Sequence, residues 1–173
     1  MELEPDGIVP PDSDLQAGRD PVVARIEEML EEERFESALE AILEALAKGQ
    51  GNSLDLTFLA GDCFLAMGRA AEAEERFRAV LELDPDCPSS RCWLAMSLFL
   101  QWRFDEAEVA YTAAIDLGVA AKKEDWVLYF YRGICHEQSK DWAPAEADFR
   151  KAETRDIGPN DYQLVIIVQA LGT

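Results

Sequence analysis

A pattern of small and aromatic residues recurs along this chain at intervals close to 34 residues. The alanines at the same place in each copy are Ala38, Ala73, Ala107 and Ala145, which follow one another after 35, 34 and 38 residues. A period of this length is far longer than a helical turn, so it indicates a repeated supersecondary unit. One unit alone buries too little apolar surface, and chains of this kind fold by stacking their copies.

Each copy contains two helical patterns joined by a turn. The segment 58–85, FLAGDCFLAMGRAAEAEERFRAVLELDP, shows this most clearly. Its packed residues are Ala60, Gly61 and Phe64 in the first pattern and Ala73, Phe77 and Val80 in the second. Gly68 is predicted to end the first helix, because glycine readily adopts the left-handed conformation found there. Pro85 is predicted to stop the second helix, because proline lacks the backbone donor.

The same order of residues predicts helix pairs on both sides of this segment. Asp20 is predicted to cap the first helix and Pro21 to occupy its first turn. The matching residues are Ile26, Ala38, Ile42 and Ala45 in the first copy, Leu94, Ala95, Leu98, Ala107, Tyr111 and Ala114 in the third, and Gly133, His136, Ala145, Phe149 and Ala152 in the fourth. The longer third interval is assigned to a loop over residues 117–125.

An aromatic residue stands three positions before the repeated alanine in three of the copies, as Phe35, Phe104 and Trp142. The second copy has Ala70 there instead. We expect these aromatic side chains to fill the space between one helix pair and the next.

A helix–turn–helix unit of 34 residues with this order resembles the tetratricopeptide repeat, or TPR. The residues that carry the resemblance in the clearest copy are Gly61, Phe64, Ala73, Phe77 and Pro85. The resemblance implies an all-α fold, a helical-hairpin repeat solenoid wound as a right-handed superhelix. It also implies about four repeats, at residues 19–53, 54–87, 88–125 and 126–159. The concave face would then be formed mainly by the first helix of each repeat.

The two ends of the chain differ from the repeats. Residues 1–18 contain acidic residues, prolines and no basic residue, which predicts a disordered acidic tail. Residues 160–173 are predicted to form a final helix that is apolar on most sides, whereas a cap has a polar outer face. This helix either caps the stack, is continued by further chain or a partner, or is buried in another way. An association surface would comprise Leu164, Val165, Ile167 and Val168, and a homo-oligomer could form through it.

The charge balance excludes some classes of partner. The chain has 16 Lys and Arg against 35 Asp and Glu, and its formal net charge is −19. Nucleic acid binding requires a positive surface, and anionic membranes attract basic segments, so neither is expected. A basic partner protein would be attracted. The chain shows no signal-peptide pattern, no membrane-spanning apolar run and no disulfide framework, so we expect a cytoplasmic protein.

No motif predicts catalysis. His136 is the only histidine, and it stands beside Cys135 where the repeat has a packing residue. Nucleophile motifs and phosphate-binding glycine loops are absent, and Cys87 and Cys92 lack the second pair that a zinc site needs. We therefore predict no enzyme, with no catalytic residue, no cofactor and no metal.

The resemblance places the binding residues on the concave face. Transferred position by position, the peptide-binding groove comprises Phe58, Asp62, Leu65, Cys92, Met96, Phe99, Val127, Phe130 and Ile134. About half of these are expected to pack helix against helix, and the others to form an apolar groove. Such a groove suits an amphipathic helix or an extended apolar segment.

Two functions fit this groove. The leading hypothesis is a protein–protein interaction module, a scaffold or adaptor in a larger assembly. The alternative is a dedicated chaperone resembling the small acidic TPR chaperones of type III secretion, which carry three repeats where about four are counted here. TPR domains that bind the acidic C-terminus of heat-shock chaperones use Lys, Asn and Arg in the groove. The corresponding positions here are Phe58, Asp62, Trp93, Val127 and Tyr131, so that use is not expected.

Overall fold

The computed structural model describes residues 20–120 and 126–153, and every regular element in this part is an α-helix. The helices are α1 (Pro21–Glu31), α2 (Phe35–Lys48), α3 (Ser53–Ala66), α4 (Ala70–Leu83), α5 (Pro88–Leu100), α6 (Phe104–Ala120), α7 (Trp126–Gln138) and α8 (Trp142–Glu153). They form four antiparallel pairs, and each helix packs mainly against the helices that precede and follow it. None of these helices is both long and apolar enough to cross a bilayer.

Local chemistry explains where the first helices begin. The Asp20 carboxylate accepts a hydrogen bond from the Val22 N–H at 2.8 Å, and Pro21 opens α1, as predicted. The side-chain oxygen of Asn52 does the same for Leu54 at 3.0 Å at the start of α3. These caps satisfy backbone donors that have no partner within the helix.

The turn inside each helix pair has the same backbone conformation in all four copies. Its left-handed residue is Glu33, Gly68, Trp102 or Lys140, with φ of 57°, 73°, 61° and 60°. The N–H of the following residue donates to the carbonyl five positions earlier, as from Arg69 to Phe64 at 2.8 Å. The predicted helix stop at Gly68 is confirmed, and the repeat period is therefore visible in the backbone itself.

Small residues let the two helices of a pair approach closely. A Cβ atom added to Gly61 would lie 2.6 Å from Cζ of Phe77, and one added to Gly133 would lie 2.8 Å from Cε1 of Phe149. The repeated alanines, Ala38, Ala73, Ala107 and Ala145, are all buried. The two glycines therefore lie directly against an aromatic ring, and the alanines lie where the helices are closely packed.

The apolar core runs along the stack in two connected parts. One cluster contains Ile26, Ile42 and Leu56 and joins α1, α2 and α3. The other extends from α3 to α8 and includes Phe77 and Tyr111. Because neighbouring pairs share these clusters, the described chain is a helical repeat solenoid, which confirms the predicted fold class.

Two predictions about the fourth repeat and its loop are wrong. Trp142 does not fill the space between pairs, since 62% of the residue is exposed, whereas Phe35 and Phe104 are half-buried. The extra residues before α7 are also not all loop, because α6 continues to Ala120. Residues 1–18 and 160–173, including the proposed association surface at Leu164, Val165, Ile167 and Val168, lie outside the described residues.

The alanine contacts lead to a first prediction. Replacing Ala107 by Trp should reduce the free energy of unfolding by roughly 1–3 kcal/mol, because this fully buried position between α5 and α6 has no room for an indole. Val109→Trp is the matched control, since that side chain lies on the same helix and is 69% exposed. Urea unfolding of both variants measures the effect. Equal stabilities would contradict the assigned packing.

Candidate functional site

Three first helices, α3, α5 and α7, carry the nine residues predicted to line the groove. Eight of the nine are apolar and belong to, or pack against, the same cluster that extends from α3 to α8: Phe58, Leu65, Cys92, Met96, Phe99, Val127, Phe130 and Ile134. The fold therefore brings residues from three repeats together. Whether a partner occupies this surface remains a prediction.

Met96 and Phe99 belong to the core of this cluster. They are 7% and 8% exposed. The Tyr111 hydroxyl donates to Met96 Sδ at 3.9 Å, and the Phe99 ring lies 5.2 Å from Tyr131 in an edge-to-face contact. We therefore assign these two side chains to packing between helices, as expected for part of the set.

The other six apolar members are half-buried and pack against the outside of this cluster. This candidate groove consists of Phe58, Leu65, Cys92, Val127, Phe130 and Ile134, with Asp62 among them. The Phe58 ring contacts Phe77 at 5.5 Å, and Phe130 contacts Phe149 at 6.0 Å. Each ring thus rests on the aromatic residue of its own second helix, which limits its mobility and leaves part of its surface available.

Asp62 is the acidic member of the candidate groove. Burial raises the pKa of its carboxyl from the ordinary 3.8 to about 7, because the charged form is poorly solvated there. Within the described chain it takes part in no salt bridge. Near neutral pH this carboxyl can either donate or accept a hydrogen bond, and a basic group beside it would favour its charged form.

Basic residues are scarce on these first helices. α3 has none, Arg91 of α5 hydrogen-bonds the Pro85 carbonyl, and Arg132 of α7 is held by Asp148. No residue of the candidate groove is itself a cation, unlike the Lys and Arg that carboxylate-binding domains use.

A buried polar cluster between α6, α7 and α8 was not predicted. Arg132 donates to both carboxylate oxygens of Asp148 at 2.7 Å and to Thr112 at 3.1 Å. His136 lies between Asp148 and Glu108, with nitrogen–oxygen distances of 3.6 and 3.5 Å. The bond to Asp148 raises the pKa of Arg132. Because every charged group has a partner, we interpret this cluster as a cross-link between repeats.

A second polar cluster joins α4 to the turn before α6. Glu74 accepts hydrogen bonds from Gln101 at 2.8 Å, from Arg103 at 2.6 Å and from Arg78 at 2.9 Å. Burial opposes its charge, but the bonds from Gln101 and Arg78 and the charge of Arg103 hold the pKa of Glu74 below its ordinary value. The partners of Glu74 in the next repeat lie 27 and 29 residues away, and no local sequence signal connects them.

The four thiols differ in burial and in bonding. Cys63 and Cys135 are fully buried, and burial raises their pKa to about 11 and about 12. Cys87 donates to the Ser90 hydroxyl at 3.3 Å. In the described ranges no three His, Cys, Asp or Glu side chains are grouped as metal ligands.

The raised pKa of Asp62 leads to a second prediction. Folding favours the protonated carboxyl, whose pKa is about 7 in the folded chain against 3.8 ordinarily, so the wild type loses stability as pH rises between these values. Asp62→Asn cannot ionise. It should therefore become progressively more stable than the wild type over this interval, with a constant difference above it. Urea unfolding across this pH range measures the difference, and a difference independent of pH would contradict the assignment.

Comparisons with known proteins agree with this architecture. The tetratricopeptide repeat family model matches residues 24–86, 58–118 and 101–162. A search of curated proteins finds no match.

Several solved structures are similar in fold. MamA (41-end) from Desulfovibrio magneticus RS-1 has 15% identity and a TM-score of 0.68, covering 80% of this chain and 76% of that one. MamA of AMB-1 has 19% identity and a TM-score of 0.66, with coverages of 78% and 76%. YrrB, described as a TPR protein with an unusual peptide-binding site, has 18% identity and a TM-score of 0.65, with coverages of 76% and 65%.

Sequence identities this low indicate only that these proteins and the present chain share a fold. The family match, by contrast, spans more than half of the chain and coincides with the helix pairs and their recurring turns. The chain therefore belongs to the tetratricopeptide repeat family.

Proposed function

We propose that this chain is a non-enzymatic interaction module that binds an apolar or amphipathic segment of another protein in the candidate groove. It would act as a scaffold or adaptor within a larger assembly. The observation that supports this most directly is the run of half-buried apolar side chains shared by α3, α5 and α7. Apolar side chains left partly exposed along one surface favour a partner that covers them.

The form of the groove suits an elongated ligand. Phe58 on α3, Cys92 on α5 and Phe130 on α7 contribute equivalent side chains from successive repeats, so apolar positions recur along the stack. An amphipathic helix or an extended segment presents apolar side chains at regular intervals and can match such a series. A compact polar ligand would leave these side chains without a counterpart.

The negative charge of the chain indicates which kind of partner segment it would attract. The chain carries a net charge of −19, and Asp62 is the ionisable carboxyl within the candidate groove. A segment with basic residues beside its apolar ones would be steered toward the chain and would restore the charge of Asp62. An acidic segment would meet repulsion instead.

The alternative function, a dedicated chaperone, would use the same groove as a scaffold but bind a different kind of partner. A dedicated chaperone binds an aggregation-prone client and keeps it soluble, whereas a scaffold binds a folded complex without that effect. Four helix pairs are present in the described chain, which favours the scaffold over a class with three repeats. The identity of the captured partner decides between them.

A third prediction tests the candidate groove. Phe130→Glu should reduce capture of the native partner by about tenfold or more, since burying an unpaired carboxylate against an apolar ligand is costly. Affinity capture from a lysate of the source organism, quantified by mass spectrometry, measures the loss. The dominant partner's binding segment, synthesised as a peptide, then provides dissociation constants.

Two further variants separate binding from folding. Phe130 also contacts Trp126 and Tyr131, so Leu65→Glu provides a second groove change on α3. Val109→Glu adds the same charge at a position that is 69% exposed on α6. Loss in both groove variants, with a folded chain and normal binding by Val109→Glu, would support the proposal. Binding retained by both folded groove variants would overturn it.

A further inference from the structure

The turn between α5 and α6 presents a tryptophan where the backbone favours glycine. Trp102 has φ of 61° and is 65% exposed, and the equivalent residue of the preceding repeat is Gly68 with φ of 73°. A bulky residue in the left-handed region is uncommon, and such outliers often mark functional positions. Here the indole is neither buried in the core nor suited to the turn, so its presence needs another explanation.

Trp102 forms one wall of a surface pocket of 450 Å³. The rest of this turn pocket is formed by Arg103, by residues 104–106 at the start of α6, and by Gln138 and Ser139 at the end of α7 and just after it. Two successive repeats therefore build the pocket together. It is separate from the candidate groove, which consists of side chains along the first helices.

The aromatic wall of the turn pocket is held in place by packing. The Trp102 ring meets Phe104 edge to face at 5.8 Å, and Phe104 meets the buried Phe99 in the same way at 5.5 Å. These contacts tie the exposed indole to the core. An ordered aromatic face binds with less loss of side-chain freedom than a mobile one.

The charges around the turn pocket leave one carboxylate available. Arg103 is paired with Glu106 and with Glu74, each at 2.6 Å, so its positive charge is balanced by two carboxylates. Asp105 accepts a hydrogen bond from the neutral Ser139 hydroxyl at 3.3 Å. In the described chain no salt bridge joins Asp105 to a cation. The pocket thus combines an aromatic face with an unneutralised acid.

We propose that the turn pocket binds an arginine or lysine side chain from a segment of a partner protein. The cation would lie over the Trp102 indole, whose face attracts positive charge. It would pair with the Asp105 carboxylate, and guanidinium has the planar donors that suit both contacts. The net charge of −19 favours such a basic segment over an acidic or neutral one.

Fluorine NMR on the full chain labelled with fluorotryptophan tests this proposal. The chain has four tryptophans, and the signal missing from Trp102→Gly identifies that of Trp102. The probe is the peptide acetyl-Gly-Arg-Leu-Arg-Gly-amide, and its neutral counterpart carries citrulline in place of arginine. The arginine peptide should shift the Trp102 signal in a saturable way, and more weakly at high salt, while the citrulline peptide should not.

Matched variants identify the groups responsible. Trp102→Gly should weaken peptide binding roughly two- to fivefold, measured by calorimetry, through loss of a cation–π contact at an exposed site. Asp105→Asn should weaken it about two- to fivefold. Glu33→Gly changes the equivalent left-handed turn residue of the first repeat, and Asp86→Asn removes an exposed charge elsewhere. Both controls should bind as the wild type does.

Several results would overturn the proposal. Equal binding of the arginine and citrulline peptides would make the turn pocket an apolar site. A Trp102 shift that depends on protein concentration without peptide would make it a contact between copies of this chain. Unchanged affinity in Trp102→Gly, which should fold normally because glycine suits this φ, would show that the peptide binds elsewhere.

Discussion

The close contact between a residue without a bulky side chain and an aromatic ring is the interaction on which this structure depends. Gly61 meets Phe77, and Gly133 meets Phe149, at distances that leave no room for a Cβ atom. This contact sets the spacing of the two helices in a pair, and the same pairs then stack through a common apolar core. The side chains on the rest of each first helix take no part in this contact, so this packing does not restrict their identity.

Stacking is directed by polar contacts as well as by apolar ones. Glu74 connects α4 to the following repeat through Gln101 and Arg103. Arg132, which is paired with Asp148 inside the fourth repeat, donates a hydrogen bond to Thr112 of the third repeat. Apolar surfaces tolerate sliding, whereas the hydrogen bonds from Gln101, Arg103 and Arg132 to the neighbouring repeat require a particular distance and angle. These clusters therefore fix the orientation in which the first helices display their groove side chains.

The sequence predicted those features that depend on local spacing. The repeated alanines, the helix stop at Gly68 and the cap at Asp20 follow from residue type and position. The Arg132–Asp148 pair and the raised pKa of Asp62 depend on which helices meet and how deeply they bury a group, which spacing cannot reveal. The exposure of Trp142 and the extension of α6 to Ala120 depend on the same tertiary context. Burial depth also separates two of the nine predicted groove residues, Met96 and Phe99, from the rest, because they belong to the core.

The division of the apolar core into two clusters has a consequence for cooperativity. The first cluster joins α1 and α2 to α3, and Leu39 and Met67 pack against both clusters. Both buried polar clusters lie further along, between α4 and α8. In a linear array, stability is a sum of unit and interface contributions, and the weakest interface opens first. We therefore expect the first helix pair to open more readily than the repeats that follow it.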